Sequence, residues 1–490
     1  MSLNNIVKRL QDIMRNDAGI NGDAQRIEQM VWILFLKVYD AKERQWELYG
    51  DSFESIIPEN LRWRNWAIDQ KDGTAITGDE LLGFVNNDLF PKLKTLDITE
   101  NTSINQSIVK SVFEDNNNYM KDGILLRQVV NVIDGIDFEA YDERHAFGDI
   151  YETILKDLQS AGNSGEFYTP RALTDFMAMQ VEPKLGEKIA DFACGTGGFL
   201  TSALQCLDKQ ISTPTEKEHY NTSVFGIEKK ALPYLLCVTN MLLHDIDYPH
   251  ILHDNSLEVR VQDYQEDDKF DVILMNPPYG GNEKKSVQMN FPPDLRGSET
   301  ADLFMSVIMH RLKTEGRAAV VIPDGFLFGT EGAKRNIKEK LFKEFNLHTI
   351  LRLPKSVFAP YTSIATNVLF FDNNEEGTPK TWFYRMDMPK DRKAFSKTKP
   401  IELKHFDPVF EWWHKRMEIA DEDGNYKSKK YTKAEIIAGN YDLDLCGFPH
   451  KVEEILPPDV LIKTYFEKKE KLDADIKSVL DQIMNVLNQG

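Results

Sequence analysis

With 490 residues, 41% of them apolar, the chain is long enough for two or three domains with substantial cores. Its 78 acidic against 59 basic residues give a net charge of −19, which excludes a broad basic surface of the kind that grips nucleic acid by itself. A local basic groove, or a partner that supplies the grip, stays open. The four cysteines (Cys194, Cys206, Cys237, Cys446) lack CxxC spacing, so reduced thiols in a cytoplasmic protein are expected and no metal site is. No secretory leader is read at the start, and the apolar run Met30 to Val38 is too short to span a bilayer.

Residues 1–146 read as a helical domain. Ile6, Leu10, Ile13 and Met14 recur at helical spacing, Asn21-Gly22-Asp23 makes a break and an N-cap, and Ile27, Met30, Val31, Leu34 and Val38 mark the next helix. Trp46, Trp63 and Trp66 are expected to fill its core. A helix over Ile150 to Leu158 leads through Ser160 to Gly165 into Glu166-Phe167-Tyr168-Thr169-Pro170-Arg171. There Thr169 can cap a helix that Pro170 begins, or the segment can act as a lid whose hydroxyl and N–H groups bind a carboxylate.

From Lys188 the chain alternates short apolar runs with helical stretches, the pattern of a parallel, doubly wound α/β sheet. Strands are expected near Lys188–Ala193, Val224–Ile227, Ile251–His253, Phe270–Met275, Ala318–Ile322, Thr349–Leu353 and Asn367–Phe371. The first runs into Asp191-Phe192-Ala193-Cys194-Gly195-Thr196-Gly197-Gly198, where glycines let the backbone turn and approach a ligand. A dinucleotide fingerprint would need its third glycine where Leu200 stands, so a nucleoside cofactor without a pyrophosphate fits better. Glu228 ends the second strand, placed to accept from two ribose hydroxyls; Asp254 follows the third, where it can accept from an adenine amino group.

The fourth strand, Phe270 to Met275, ends in Asn276-Pro277-Pro278-Tyr279. Two prolines cannot continue the ladder, so the strand stops and presents an amide, rigid carbonyls and a ring at its carboxyl end. The Asn276 side-chain oxygen and the Pro277 carbonyl can accept both hydrogens of an amino group on a flat heterocycle lying against Tyr279. The bland alternative is a rigid turn. A long polar loop, Gly280 to Glu299, follows with Lys284, Lys285 and Arg296, and a second proline-punctuated loop, Leu353 to Thr362, carries Phe358 at another strand end. Near the chain's end Leu472, Ile476, Val479, Ile483 and Val486 form a 4-3-4-3 seam, suited to packing within its own domain or on a partner's helix.

Taken in order, Gly165 to Pro170, Asp191 to Gly198, Glu228 and Asn276-Pro277-Pro278-Tyr279 resemble the amino-methylating DNA methyltransferases. More closely, the chain resembles the modification subunits of type I restriction–modification systems, with further matches at Asn240 to Ile246, Gly316 to Asp324 and Thr366 to Phe371. The resemblance implies a Rossmann-like methyltransferase sheet over 147–400, preceded by the helical domain and followed by a mainly helical partner-binding extension over 401–490. It implies S-adenosylmethionine as cofactor, held by Glu166 to Arg171, Asp191, Ala193, Thr196, Gly197, Gly198 and Glu228, with Asp254 as a further contact. Asn276, Pro277, Pro278 and Tyr279 would hold a flipped adenine for methylation at N6, with Phe358 stacking on its other side. The implied partners are duplex DNA, a specificity subunit that reads the sequence and binds two copies of this chain, and a restriction subunit; no membrane is implied. The alternatives are a non-catalytic scaffold on the same fold, or a methyltransferase acting on RNA or on a protein glutamine.

Overall fold

The computed structural model describes residues 3–49, 53–69, 75–99, 102–138, 151, 168–359, 362–420 and 424–447, with isolated positions between 462 and 481. Two compact units are present, Met1–Gly447 and Phe448–Gly490. Tyr151 alone is described of the helix expected over Ile150 to Leu158; its hydroxyl donates to the Leu236 carbonyl at 3.0 Å.

The N-terminal part is helical, as its periodicity requires. Helices Leu3–Met14 and Asp23–Tyr49 begin it, and Ile27, Met30, Val31, Leu34 and Val38 are all buried. Trp63 and Trp66 are core residues, and Trp46 packs against that core. The long helix leans on the helix Ala231–Leu243 of the following part, where the buried Lys42 ammonium reaches Asp245 and Asp247, each at 3.0 Å.

The sheet has ten strands in the order β3-β2-β1-β4-β5-β7-β6-β8-β10-β9. They are β1 (Ile189–Asp191), β2 (Val224–Glu228), β3 (His250–His253), β4 (Phe270–Met275), β5 (Leu312–Pro323), β6 (Asn346–Arg352), β7 (Thr366–Asp372), β8 (Lys380–Arg385), β9 (Ile419–Ala420) and β10 (Tyr426–Thr432). All seven expected strands form. Strands β1 to β4 are parallel, as is β4 with β5, but β7 runs antiparallel to both β5 and β6. The expectation of a parallel sheet is therefore corrected at β7, and again at β10, which runs antiparallel to β8 and β9.

A second correction concerns the boundary at 400/401. β8, on one side of it, pairs with β10 on the other, from Ser428↔Tyr384 to Thr432↔Lys380. The helix Asp407–Lys415 also lies over the sheet: Phe406 stacks on Phe176 with centroids 4.4 Å apart, and Trp413 meets Phe370 at 4.8 Å. Residues 401–447 thus complete one core with the strands before them. The described positions from 462 to 481 are helical; of the expected seam, Leu472 and Ile476 are exposed, and Val479, Ile483 and Val486 lie outside the described residues.

Replacing Lys42 by Met would leave two carboxylates without their shared cation. Losing charged hydrogen bonds of this kind costs about 1.5–3 kcal/mol. Thermal denaturation should register the loss, whereas Lys404→Met, which removes an exposed pair with Glu402, should leave the melting temperature nearly unchanged.

Candidate functional site

Parallel pairing brings the ends of β1, β2, β3 and β4 to one edge, and Asp191, Glu228, Asp254 and Asn276 stand at those ends. β1 ends at Asp191, paired with Gly226, and β2 ends at Glu228, paired with His253. The turn after β1 is held from three sides. Glu228 accepts from the Gly195 N–H at 2.9 Å and from the Lys230 N–H at 2.8 Å. Asn240 donates to the Thr196 carbonyl at 3.0 Å, and Arg171 bridges to the Gly198 carbonyl and to the Thr201 hydroxyl.

The two turn glycines serve different needs. Gly197, at φ +83°, faces the protein: a Cβ there would stand 2.9 Å from Cys237 Sγ and 3.1 Å from Met241 Cε. Gly195, at φ +54°, faces outward, where a Cβ would meet nothing within 4 Å. An open backbone turn beside two acids suits a ligand rich in hydroxyls and amino groups, and a carboxylate that already takes two N–H bonds keeps further lone-pair sites for it. Asp191 is buried and accepts from the Ala193 N–H at 3.0 Å. Burial pushes its carboxyl up to about 8; the Ala193 N–H opposes this and the charge of Glu228 adds to it. Asp254 is exposed, with its carboxylate accepting from the Asn255 N–H at 2.6 Å. It also lines a groove of about 430 Å³ beneath β2 and β3, walled by Phe225, Tyr264, Phe270 and Arg311.

One strand away from β1, Asn276 leaves β4. Its Nδ2 donates to the Thr169 hydroxyl at 3.0 Å, and its Oδ1 is a buried acceptor with no hydrogen-bond partner among the described residues. That bond corrects the expected cap. The helix Arg171–Val181 starts with Pro170 at its N-cap, and the Thr169 side chain is turned to Asn276 instead. Pro277 is buried, Pro278 exposed, and Tyr279 is 8% exposed, its hydroxyl pKa raised by burial.

The loop beyond Tyr279 is pinned where it returns. The Thr300 N–H donates to the Gly281 carbonyl at 3.1 Å, the Glu283 N–H to the Ser298 carbonyl at 2.9 Å, and Lys334 joins Glu299 to Asp302. Phe358 is 1% exposed and belongs to a different hydrophobic cluster from Tyr279. Glu166 and Phe167 lie outside the described residues; Tyr168 is half-buried. Sequence reasoning assigned no role to Asn240, although an amide inside the apolar run Leu235 to Leu243 was a signal of one.

A ligand-facing turn between two acids, one strand from an amide acceptor on a proline-stiffened end, defines the class: an N-methyltransferase on a Rossmann-like sheet. Residues 142–454 match the family model described as N-6 DNA Methylase, and residues 3–133 match the HsdM N-terminal domain. The chain is 47% identical to the methylase subunit of the type I restriction enzyme EcoEI of Escherichia coli, over 99% of this chain and 98% of that one. Among solved structures it resembles a modification subunit of a putative type I restriction enzyme from Vibrio vulnificus YJ016, with 43% identity, a TM-score of 0.78, and 89% and 93% of the two chains covered. A chain from a study of complex assembly and conformational transition in the type I restriction–modification system gives 32% identity and a TM-score of 0.81, over 99% and 98%. The chain belongs to the N-6 DNA methylase family, as its ordered motifs implied.

The proton on Asp191 gives this site a pH signature. A carboxyl whose folded pKa lies above its ordinary 3.8 holds, when folded, a proton that the unfolded chain releases. Its contribution to stability is therefore full below pH 3.8 and is lost as pH rises through about 8. Asp191→Asn keeps an acceptor for the Ala193 N–H and cannot ionise. Without cofactor, its melting temperature should exceed that of the parent by more at roughly pH 9 than at roughly pH 5.

Proposed function

We propose that this chain transfers a methyl group from S-adenosylmethionine to the N6 amino group of an adenine flipped out of duplex DNA. It does so as the methylase subunit of a type I restriction–modification complex, whose specificity subunit reads the sequence. The observation that carries this reading is the Asn276 amide. Its Nδ2 is fixed by Thr169, and its Oδ1 is a buried acceptor that meets no donor among the described residues. An unsatisfied buried acceptor costs about 1–3 kcal/mol, which an incoming amine hydrogen recovers.

The chemistry follows from what N6 lacks. Its lone pair is delocalised into the purine ring, so it is a poor nucleophile until its hydrogens are drawn out of the ring plane. Asn276 Oδ1 accepts one hydrogen and the Pro277 carbonyl the other, and both oxygens stabilise the positive charge that builds on nitrogen. Pro278 keeps the backbone from continuing as strand. Tyr279 lies against one face of the base; Phe358, now packed in the core, would have to turn out to cover the other.

The open turn fits the nucleoside portion of the cofactor. Glu228 takes the ribose hydroxyls, Asp191, Ala193, Thr196, Gly197 and Gly198 form the floor, Asp254 meets the adenine, and Glu166 to Arg171 take the methionine end. S-adenosylmethionine supplies an electrophilic methyl group when bound. Among the described residues no helix is long and apolar enough to cross a membrane. A cytoplasmic enzyme working with a specificity subunit, two copies of this chain to each, and with a restriction subunit completes the reading.

Single-turnover methylation tests it in the assembled complex. Asn276→Ala should bind cofactor normally and lose about 10²–10³ in rate. Thr169→Val, at saturating cofactor, should lose about 2–10-fold, the value of one hydrogen bond that orients the amide, and Thr169→Ser should recover it. A near-normal rate in Asn276→Ala would remove Asn276 from the chemistry.

The unit Phe448–Gly490 is the proposed contact with the specificity subunit, since its described helical positions expose Ile462, Tyr465, Phe466, Leu472, Ile476 and Leu480. Burying such side chains contributes about 1.5–3 kcal/mol each. Deleting residues 448–490 should leave cofactor affinity intact and abolish copurification with the specificity subunit. Normal assembly of the shortened chain would move the interface elsewhere.

A further inference from the structure

The chain's acidic balance hides basic stretches, and one of them leaves the sheet at its working edge. Between Met388 and Ile401 stand Lys390, Arg392, Lys393, Lys397 and Lys399 against a single acid, Asp391. Arg392 is held by Asp391 at 2.8 Å and lies over the Phe395 ring. The four lysines are exposed, and none forms an ion pair among the described residues. Like charges this dense repel one another, and the flanking acids Asp387 and Glu402 are engaged by Arg385 and Lys404.

Topology brings this loop to the working edge of the sheet. β7 is antiparallel to both β5 and β6, and β5 is parallel to β4, so β6 shares the direction of β4. β8 in turn runs parallel to β6. The segment leaving β8 at Arg385 therefore emerges on the side where Asn276 leaves β4. It is also built rather than loose. Phe395 is 3% exposed, and its N–H donates to the Ser356 hydroxyl at 2.9 Å, in the loop that carries Phe358. Ser396 and Lys399 exchange two backbone hydrogen bonds of 3.1 Å, a tight turn with Lys397 and Thr398 at its tip.

We propose that loop 388–401 grips the phosphate backbone of the duplex beside the flipped adenine. This rests on the reading of the chain as a DNA methylase subunit and adds the surface that reading lacks. Duplex DNA presents a charge about every 1.7 Å of axis, and lysines on flexible stems engage it as point charges without demanding a sequence. The cofactor offers a single carboxylate, too little charge for four ammonium groups. The anchored Phe395 holds the loop in place so that ordering it on binding costs little.

The test uses the complex of this chain with its specificity subunit, its cognate duplex, and the variant Lys390→Gln, Lys393→Gln, Lys397→Gln, Lys399→Gln. The expected result is weaker duplex binding and a log–log salt dependence shallower by about 0.9 for each phosphate no longer neutralised, with cofactor affinity of the chain unchanged. Lys397→Gln alone should flatten the slope by up to about 0.9 if the fourfold variant proves hard to fold. An unchanged slope and affinity would overturn the proposal. So would a variant that no longer assembles, because the loop would then face an acidic surface of the specificity subunit. If the parent complex bound duplex but transferred no methyl group, the proposed activity would fall while the salt measurement on the loop still stood.

Discussion

The site depends on the register of one three-residue strand. β1 pairs in parallel with β2 through Ile189↔Val224 and with β4 through Ile189↔Val272. Neighbouring strands lie about 4.8 Å apart, so the turn after β1, the acid after β2 and the amide after β4 must share one edge within about 10 Å. A one-residue slip of β2 would turn Glu228 to the opposite face and lose its bond to the Gly195 N–H. Burial on both faces prevents that slip, since all three residues of β1 and nearly all of β4 are enclosed.

Side chains fix the loops that register alone leaves free. Asn240, Glu228 and Arg171 each hold the turn after β1 through the backbone, and Thr169 holds Asn276 through its amide. This leaves unsatisfied acceptors at the working edge: Asn276 Oδ1 and Asn240 Oδ1 are both buried without a partner among the described residues. Each costs about 1–3 kcal/mol in the resting fold. The helical part and Ile401, Phe406, Val409 and Trp412 join one hydrophobic cluster on the sheet, and Tyr279 with Ile436, Tyr441 and Leu443 belongs to a second.

What was legible in the sequence follows the same division. Strands buried on both faces read as apolar runs, and β1, β4 and β7 are legible by that. β10, with Lys427, Lys429 and Lys430 among its seven residues, has no apolar period; its register comes from β8, a partner some forty residues earlier. Motif residues were legible as chemical types but not as partners in space. Thr169 reads as a cap because Thr-Pro commonly opens helices, yet a hydrogen bond across 107 positions claims its hydroxyl. Gly197 reads as room for a ligand, whereas the atoms it makes room for are Cys237 and Met241. Phe358 reads as a pocket wall from its place after a strand, and in the resting fold it is buried in the same hydrophobic cluster as Phe395.

Net charge is the property that sequence composition states most plainly and locates least. A value of −19 describes the body of the chain, while Met388 to Ile401 has the opposite sign. Non-specific binding to a duplex is almost wholly electrostatic, so an acidic body limits how many phosphates the chain engages at random sites. A small basic loop at the catalytic edge acts only when the duplex is already oriented there. On that division the chain contributes chemistry and a local hold, and discrimination between sequences falls to base contacts made by another subunit. The acidic excess is then compatible with a DNA-directed activity, because it suppresses the binding modes that lead nowhere.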